Sequence, residues 1–334
     1  MNASPLVELE RVSRQFETPG GTVTAVNDVS LVVRPAEIVC LVGESGCGKT
    51  TTGRLLTGLA RPSSGRVLFE GRDVWHTRGA EFSRFRRAVQ IVHQDPYASL
   101  NPTRSVFQTL SAPLERHRLA RGSDTQRRVI ELLKLVDLTP PEDYLGKYPH
   151  QLSGGQRQRV SIARALTVEP RFIVADEAVS MVDVSIRISL LNVLIRLRDQ
   201  LGMSCVLITH DLAVARYFGR QGRIGVMYLG RLVEVGETER LVADPAHPYT
   251  AALIAAIPEA DPLLTRGKTR VPLRSAEVPS LLHLPAGCSF HPRCPRFEAG
   301  LCDIVVPELV AVPEREVACH VAVRERAGLV TAGR

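Results

Sequence analysis

Apolar and polar positions change rhythm several times along the chain, and each change marks an element. Polar and apolar residues alternate in Leu6-Val7-Glu8-Leu9-Glu10-Arg11-Val12 and again from Val26 to Val33. This is the period of half-buried antiparallel strands, with Thr18-Pro19-Gly20-Gly21 as the turn between them. Ile38-Val39-Cys40-Leu41-Val42 is apolar throughout and predicts a buried strand, and Thr51 to Thr57 then starts a helix. Pro62 to Gly65 predicts a turn, Arg66 to Glu70 a short strand, Gly71-Arg72-Asp73 a second turn and Ala88 to Val92 another strand. From Val106 to Leu138 the spacing is helical, with Ile130, Leu132, Leu133, Leu135 and Val136 on one wide apolar face. Pro140-Pro141 closes that segment. A helix is expected over Arg157 to Leu166, then buried-type strands over Arg171 to Glu177 and Cys205 to Asp211. No internal repeat interrupts the pattern. Its centre predicts α/β structure with a parallel sheet.

The residues between these elements carry the chemistry. Gly43-Glu44-Ser45-Gly46-Cys47-Gly48-Lys49-Thr50 fits G-x-x-x-x-G-K-[ST] and lies between a strand and a helix, the context the motif requires. Its glycines let backbone N–H groups turn toward phosphate oxygens, and the helix N-terminus adds partial positive charge. Lys49 has the reach for the outer phosphates, and the Thr50 hydroxyl is a Mg2+ ligand type. Leu152-Ser153-Gly154-Gly155-Gln156 opens the next helix as a second anion-binding terminus, without a lysine. Asp176 and Glu177 end a core strand, where the first suits Mg2+ and the second a proton taken from water, or the pair simply caps the next helix. Gln94 and His210 also leave strand ends, the side on which parallel sheets bind ligands. Phe16, just before the first turn, is either a purine-stacking aromatic or an ordinary hairpin residue.

At 334 residues, the chain is long for one domain and suggests a second unit or an extension. Its hydrophobic fraction of 44% is ordinary for a globular core, and no apolar run approaches the roughly 18 residues of a membrane span. Met1 to Pro5 lacks the basic-then-apolar order of a signal peptide, which predicts a cytoplasmic location. The net charge of +7 is scattered, and its densest piece, Arg84 to Arg87, reads as a solvated helix face. Single cysteines at Cys40, Cys47 and Cys205 are expected to be packing residues.

Taken together, these motifs resemble the ATP-binding subunit of an ABC (ATP-binding cassette) transporter from about Leu6 to Ile257. The family's fold is a P-loop NTPase cassette, with a RecA-like core, an N-terminal antiparallel β subdomain and a helical subdomain, here about 95–165. The resemblance identifies Gly43 to Thr50 as the Walker A loop, with Thr51 also on the nucleotide, Gln94 as the Q-loop and Leu152 to Gln156 as the signature. Asp176 and Glu177 match the Walker B end, Ser180 to Asp183 the D-loop, His210 the switch histidine, and Phe16 the adenine-stacking aromatic. It implies ATP and Mg2+ as cofactors, with Thr50, Gln94 and Asp176 on the metal and Glu177, His210, Lys49 and Gln94 in catalysis. In this family Ser153 and Gly155 face the γ-phosphate held by another subunit's loop, so Lys49 belongs to half a site.

Gln94 to Pro102, Pro149-His150, His247-Pro248-Tyr249-Thr250 and Ile257-Pro258 narrow the resemblance to oligopeptide/dipeptide importer ATPases. That implies two transmembrane permease subunits, a second and paralogous ABC ATPase, an extracytoplasmic peptide-binding protein, and a place at the cytoplasmic face of the membrane. Nickel importers share several features, and a soluble ABC ATPase acting on nucleic acid or ribosomes is the rival class. Ala178, Met181, Val182 and Gln151 depart from the usual residues. The expected division is residues 1–257 for the cassette and 258–334 for an extension. In the latter, Cys288, Cys294, Cys302 and Cys319 follow C-x5-C-x7-C-x16-C among prolines. That proline-rich segment is expected to form little helix or strand and to be stapled by metal. A [4Fe-4S] cluster suits four thiolates best, ahead of packed free thiols and of zinc, whose ribbons use paired C-x-x-C.

Overall fold

A computed structural model of the chain describes residues 4–257 and 271–332. Met1 to Ala3 of the N-terminal stretch and Pro258 of the Ile257-Pro258 pair lie outside them. The expected hairpin is present as β1 (Val7–Thr18) and β2 (Gly21–Val33), paired antiparallel across Pro19-Gly20. β4 (Ser64–Phe69) and β5 (Arg72–Asp73) complete a four-stranded sheet in the order β2-β1-β4-β5.

The second sheet has eight strands: β3 (Ile38–Val42), β6 (Val89–Val92), β7 (Phe172–Asp176), β8 (Ser204–Thr209), β9 (Arg223–Tyr228), β10 (Arg231–Glu237), β11 (Val310–Val312) and β12 (Arg315–Val317). Their order is β11-β12-β10-β9-β3-β8-β7-β6. From β9 to β6 the pairing is parallel, while β10, β12 and β11 are antiparallel additions. Every residue of β3, β7 and β8 is buried, as strands covered on both faces must be. The proline-rich C-terminal segment is mostly turns, as expected, yet its β11–β12 hairpin joins the cassette's own sheet. The side chains of Arg315 and Glu234 lock that joint, both buried and paired at 3.0 Å.

Helices α1 (Lys49–Leu56), α2 (Gly79–Ala88), α3 (Pro96–Ser99), α4 (Val106–Arg116), α5 (Ser123–Leu135), α6 (Glu142–Leu145) and α7 (Gly154–Leu166) follow in order. They are succeeded by α8 (Val184–Leu201), α9 (Leu212–Phe218), α10 (Thr238–Ala243), α11 (Pro248–Ala255) and α12 (His320–Ala332). Arg84 to Arg87 lie on α2, with Phe85 turned inward and buried. Leu110 and Leu114 of α4, Leu132 and Leu133 of α5 and Val160 of α7 pack into one apolar cluster, which forms the helical segment. α7 begins three residues earlier than Arg157, because Ser153 and Gln156 form a reciprocal capping box.

Candidate functional site

Four adjacent parallel strands, β3, β8, β7 and β6, point their C-terminal ends the same way. Gly43, His210, Asp176 with Glu177, and Gln94 therefore leave one edge of the sheet. The phosphate loop is shaped by glycines that nothing larger replaces. Gly43 has φ +153°, and a Cβ there would lie 2.2 Å from the Met227 carbonyl oxygen. At Gly48, with φ +103°, the same atom would meet the Ala25 carbonyl at 2.2 Å. Gly48 caps α1 without a side-chain hydrogen bond, which leaves the first N–H groups of that helix for an anion. Lys49 is buried and donates from Nζ to the carbonyls of Gly43 at 2.8 Å and Glu44 at 2.9 Å.

The acidic side of the site is a short network. The Thr50 hydroxyl donates to Asp176 Oδ1 at 3.0 Å. Burial pushes the Asp176 carboxyl up from its ordinary value, against the hydrogen bond from Thr50, which lowers it. Gln94 Nε2 donates to Glu177 Oε2 at 3.0 Å, and His210 Nδ1 lies 3.3 Å from Oε1 of the same carboxylate. Glu177 thus stands between Gln94 and His210, its carboxylate addressed from both sides. Its backbone is left-handed, with φ +47°, a conformation that costs free energy for a residue with a side chain. Three bonds hold it there: Glu177 N–H to the Ile208 carbonyl at 3.0 Å, and Ser180 N–H and Oγ to the Glu177 carbonyl at 3.0 and 2.9 Å.

The signature residues are elsewhere. Ser153 Oγ accepts from Gln156 N–H at 3.2 Å, and Gln156 Oε1 accepts from Ser153 N–H at 2.9 Å. Gly155 lets α7 approach α8, since a Cβ would come within 2.6 Å of Ile186 Cγ2. Among the described residues, no hydrogen bond or ion pair joins residues 153–156 to residues 43–51. Beside them Met181, Val184 and Ile188 are exposed, an apolar face on the D-loop and the start of α8. Phe16 is 38% exposed, with the Arg14 guanidinium 4.6 Å from its ring centroid.

Between the sheet and the helical segment lies a cleft of about 920 Å³. Arg86, Arg104, Arg116, Arg164, His93 and His117 line part of it. Burial lowers the pKa of both His93 and Arg164, which favours neutral imidazole at the first and leaves the second a partly desolvated guanidinium.

Cys40, Cys47 and Cys205 are buried packing residues. The four C-terminal thiols are also free and gather near one another: Cys288 N–H donates to the Cys302 carbonyl at 2.8 Å, and charge on Cys319, Cys294 or Cys302 raises the Cys288 pKa further. Burial is the main cause, pushing Cys288 up to about 12 and Cys294 to about 11. Among the described residues, however, no group of three or more His, Cys, Asp or Glu side chains is placed to hold a metal ion.

Sequence reasoning did not anticipate a second ring of contacts around the phosphate loop. Glu44 N–H donates to the Tyr249 hydroxyl at 2.9 Å, and the Glu44 carboxylate receives Arg293 at 3.1 and 3.0 Å. Tyr249 belongs to His247-Pro248-Tyr249-Thr250, which was visible as a motif. Arg293 lies 249 positions from Glu44, and nothing in local pattern announces the pair.

Residues 26–180 match the family described as ABC transporter, and residues 233–302 match the oligopeptide/dipeptide transporter C-terminal region. The chain is 47% identical over 307 residues to the "Probable peptide ABC transporter ATP-binding protein y4tS" of Sinorhizobium fredii, covering 92% of this chain and 85% of that one. It is 38% identical over 328 residues to the oligopeptide transport ATP-binding protein AppF of Bacillus subtilis, covering 96% and 98%. Among solved structures it is similar to the dimeric post-hydrolysis state of the ATP-binding cassette MJ0796 bound to ADP and Pi. That likeness has a TM-score of 0.62 at 28% identity and covers 70% of this chain and 98% of the other.

Proposed function

The chain belongs to the ABC transporter family, as an ATP-binding subunit of its oligopeptide/dipeptide branch, and from that premise we propose how its residues divide the work. It hydrolyses ATP to energise peptide import. The observation that carries the assignment of roles is the convergence of Lys49, the Thr50–Asp176 pair and the Gln94–Glu177–His210 row at one sheet edge.

Within residues 43–51 the N–H groups other than that of Glu44, which Tyr249 holds, bind the phosphates together with the Lys49 ammonium, and Phe16 stacks on adenine. Thr50, Asp176 and Gln94 are hard oxygen donors and would hold Mg2+, which when bound neutralises charge on the phosphate oxygens. Glu177 takes the proton from water. His210 and Gln94 fix the direction of its carboxylate, so that little reorganisation is left for the reaction. Ser153, Gly154, Gly155 and Gln156 act on nucleotide held by a second ATPase. Their separation from the chain's own phosphate loop and the apolar face of Met181, Val184 and Ile188 support that reading.

As an ATP-binding subunit of a transporter the chain works at the periphery of its membrane partners. No described helix is long and apolar enough to cross a membrane. Its partners are two permease subunits, a paralogous ATPase and an extracytoplasmic peptide-binding protein, and its place is the cytoplasmic face. The arginine-lined cleft beside Gln94 fits an acidic helix presented by a permease, and closure on ATP would move that helix. For the C-terminal thiols, four sulfur donors are the ligand type of a [4Fe-4S] cluster, and the Cys288 N–H bond to the Cys302 carbonyl brings two of their backbones together, although among the described residues no three are placed to hold a metal as they stand.

The test is purification with co-expressed neighbours, followed by reconstitution in vesicles. ATP turnover should rise when peptide and its binding protein are supplied. A chain that recovers no membrane subunit and responds only to nucleic acid would instead establish the rival class. A visible spectrum of the same anaerobic preparation reports the cluster, and a colourless, iron-free sample would rule it out.

A further inference from the structure

The C-terminal turn between Cys288 and Cys294 reaches the ATP site through one side chain. Arg293 is 6% exposed and places a single guanidinium nitrogen 3.1 and 3.0 Å from the two Glu44 carboxylate oxygens. The same nitrogen is 3.4 Å from the Tyr228 hydroxyl. The Tyr228 and Phe290 ring centroids lie 5.8 and 5.7 Å from the guanidinium carbon, and Tyr249 packs against both rings, with the three centroids 4.6 to 5.4 Å apart. Glu44 is the second residue of the phosphate loop. Its N–H is held by Tyr249, and its carbonyl accepts from Lys49. Every polar group of Glu44 is therefore bonded, and among the described residues its carboxylate is bonded from the extension alone.

The Arg293 end of this pair is buried while the Glu44 side chain is 30% exposed, so removing Glu44 leaves the guanidinium desolvated and unpaired, whereas removing Arg293 frees the Glu44 carboxylate toward solvent. A loop that must present a row of N–H groups to phosphate gains from being held in that shape beforehand. We propose that Arg293 is a positioning residue for ATP binding: it clamps Glu44, so the C-terminal thiol-bearing turn sets the shape of the phosphate loop. Arg293 touches no nucleotide in this scheme and acts through Glu44 alone. Any rearrangement of the turn, whatever its cause, is transmitted to Lys49 by way of the Glu44 carbonyl. The inference rests on the ATPase assignment.

The test uses the full chain in its transporter complex and a double-mutant cycle. Arg293→Gln and Glu44→Gln should each raise KM for ATP by about 10-fold, within the usual range for coupled sites, with kcat changed less than about twofold. The double variant should also show about a 10-fold increase, not about 100-fold, because both changes remove one interaction. Arg293→Lys should recover part of the loss, since it keeps charge and reach. Should Arg293→Gln not fold, Glu44→Gln with and without Arg293→Lys gives the same decision: the lysine change should add nothing once Glu44 is neutral. An unchanged KM in either single variant, or fully additive effects, would overturn the clamp. Failure of the wild-type complex to hydrolyse ATP at all would instead overturn the assignment beneath it.

Discussion

Glu177→Gln isolates the proton-transfer role from every other property of the site. The glutamine has the same shape and retains one oxygen. It therefore keeps one hydrogen bond of the pair that Glu177 makes with Gln94 at 3.0 Å and His210 at 3.3 Å, and an amide flip or tautomer change re-pairs the other. The left-handed backbone at residue 177 is anchored by main-chain bonds and by Ser180, none of which the substitution touches. The stability cost should then be no more than that of one net hydrogen bond, at most about 1.5 kcal/mol. A proton acceptor contributes about 100- to 10,000-fold to such a step, equivalent to roughly 3–5 kcal/mol of barrier. ATP affinity, which we assign to Lys49 and the loop N–H groups, should stay within about threefold. The assay is single-turnover phosphate release at saturating Mg-ATP, with nucleotide binding measured on the same sample. Phosphate release within about tenfold of wild type would refute the reasoning, as would loss of ATP binding.

Three further outcomes follow from named contacts. Arg315→Met removes one partner of a buried pair, but Glu234 keeps the N–H groups of Ala246 and His247 at 2.9 Å, so the cost should sit near about 3 kcal/mol and lower Tm by roughly 6–12 °C. A melt within about 1 °C of wild type would show that the hairpin is not fastened to the cassette. Burial pushes His247 down to about 3, from an ordinary value near 6.5. Below about pH 6.5 the unfolded chain takes up a proton that the folded chain refuses, so stability should fall by up to about 1.4 kcal/mol per pH unit toward pH 3. Above that window His247 should contribute no slope, and His247→Gln should remove its share from denaturant titrations at pH 5 and 7. Phe16→Ala should weaken ATP by about 5-fold while leaving inorganic phosphate and Mg2+ dependence alone, through loss of about 1 kcal/mol of stacking. Equal weakening of both ligands would deny the aromatic its place on the base.

The sequence exposed those parts of the fold that local physics determines. Alternation from Leu6 to Val33 led to the β1–β2 hairpin, and the glycines at 43 and 48 sit where the backbone admits nothing else. The Ser153–Gln156 capping box is equally local, at a spacing of three residues, yet the helix expected from the sequence starts only at Arg157. What stayed hidden depends on contacts between distant segments. Val310–Val312 and Arg315–Val317 are too short and too near prolines to declare themselves as strands, and they exist because β10 offers an edge. The row Gln94–Glu177–His210 was legible as three strand-end residues, though not as one hydrogen-bonded unit around a strained Glu177. The Arg293–Glu44 pair had no local signal, since neither residue's neighbours specify the other.

The central claim is that one chain carries half of each ATP site, with Lys49 serving its own nucleotide and Ser153 that of a partner. The most direct measurement is phosphate release per chain as a function of chain concentration, from dilute monomer upward, at saturating Mg-ATP and with nucleotide occupancy recorded in parallel. The account predicts occupied but nearly silent chains at low concentration, with turnover appearing only as a second cassette, its own copy or an added paralogue, becomes available. A specific activity that is substantial and constant down to dilute monomer would contradict it.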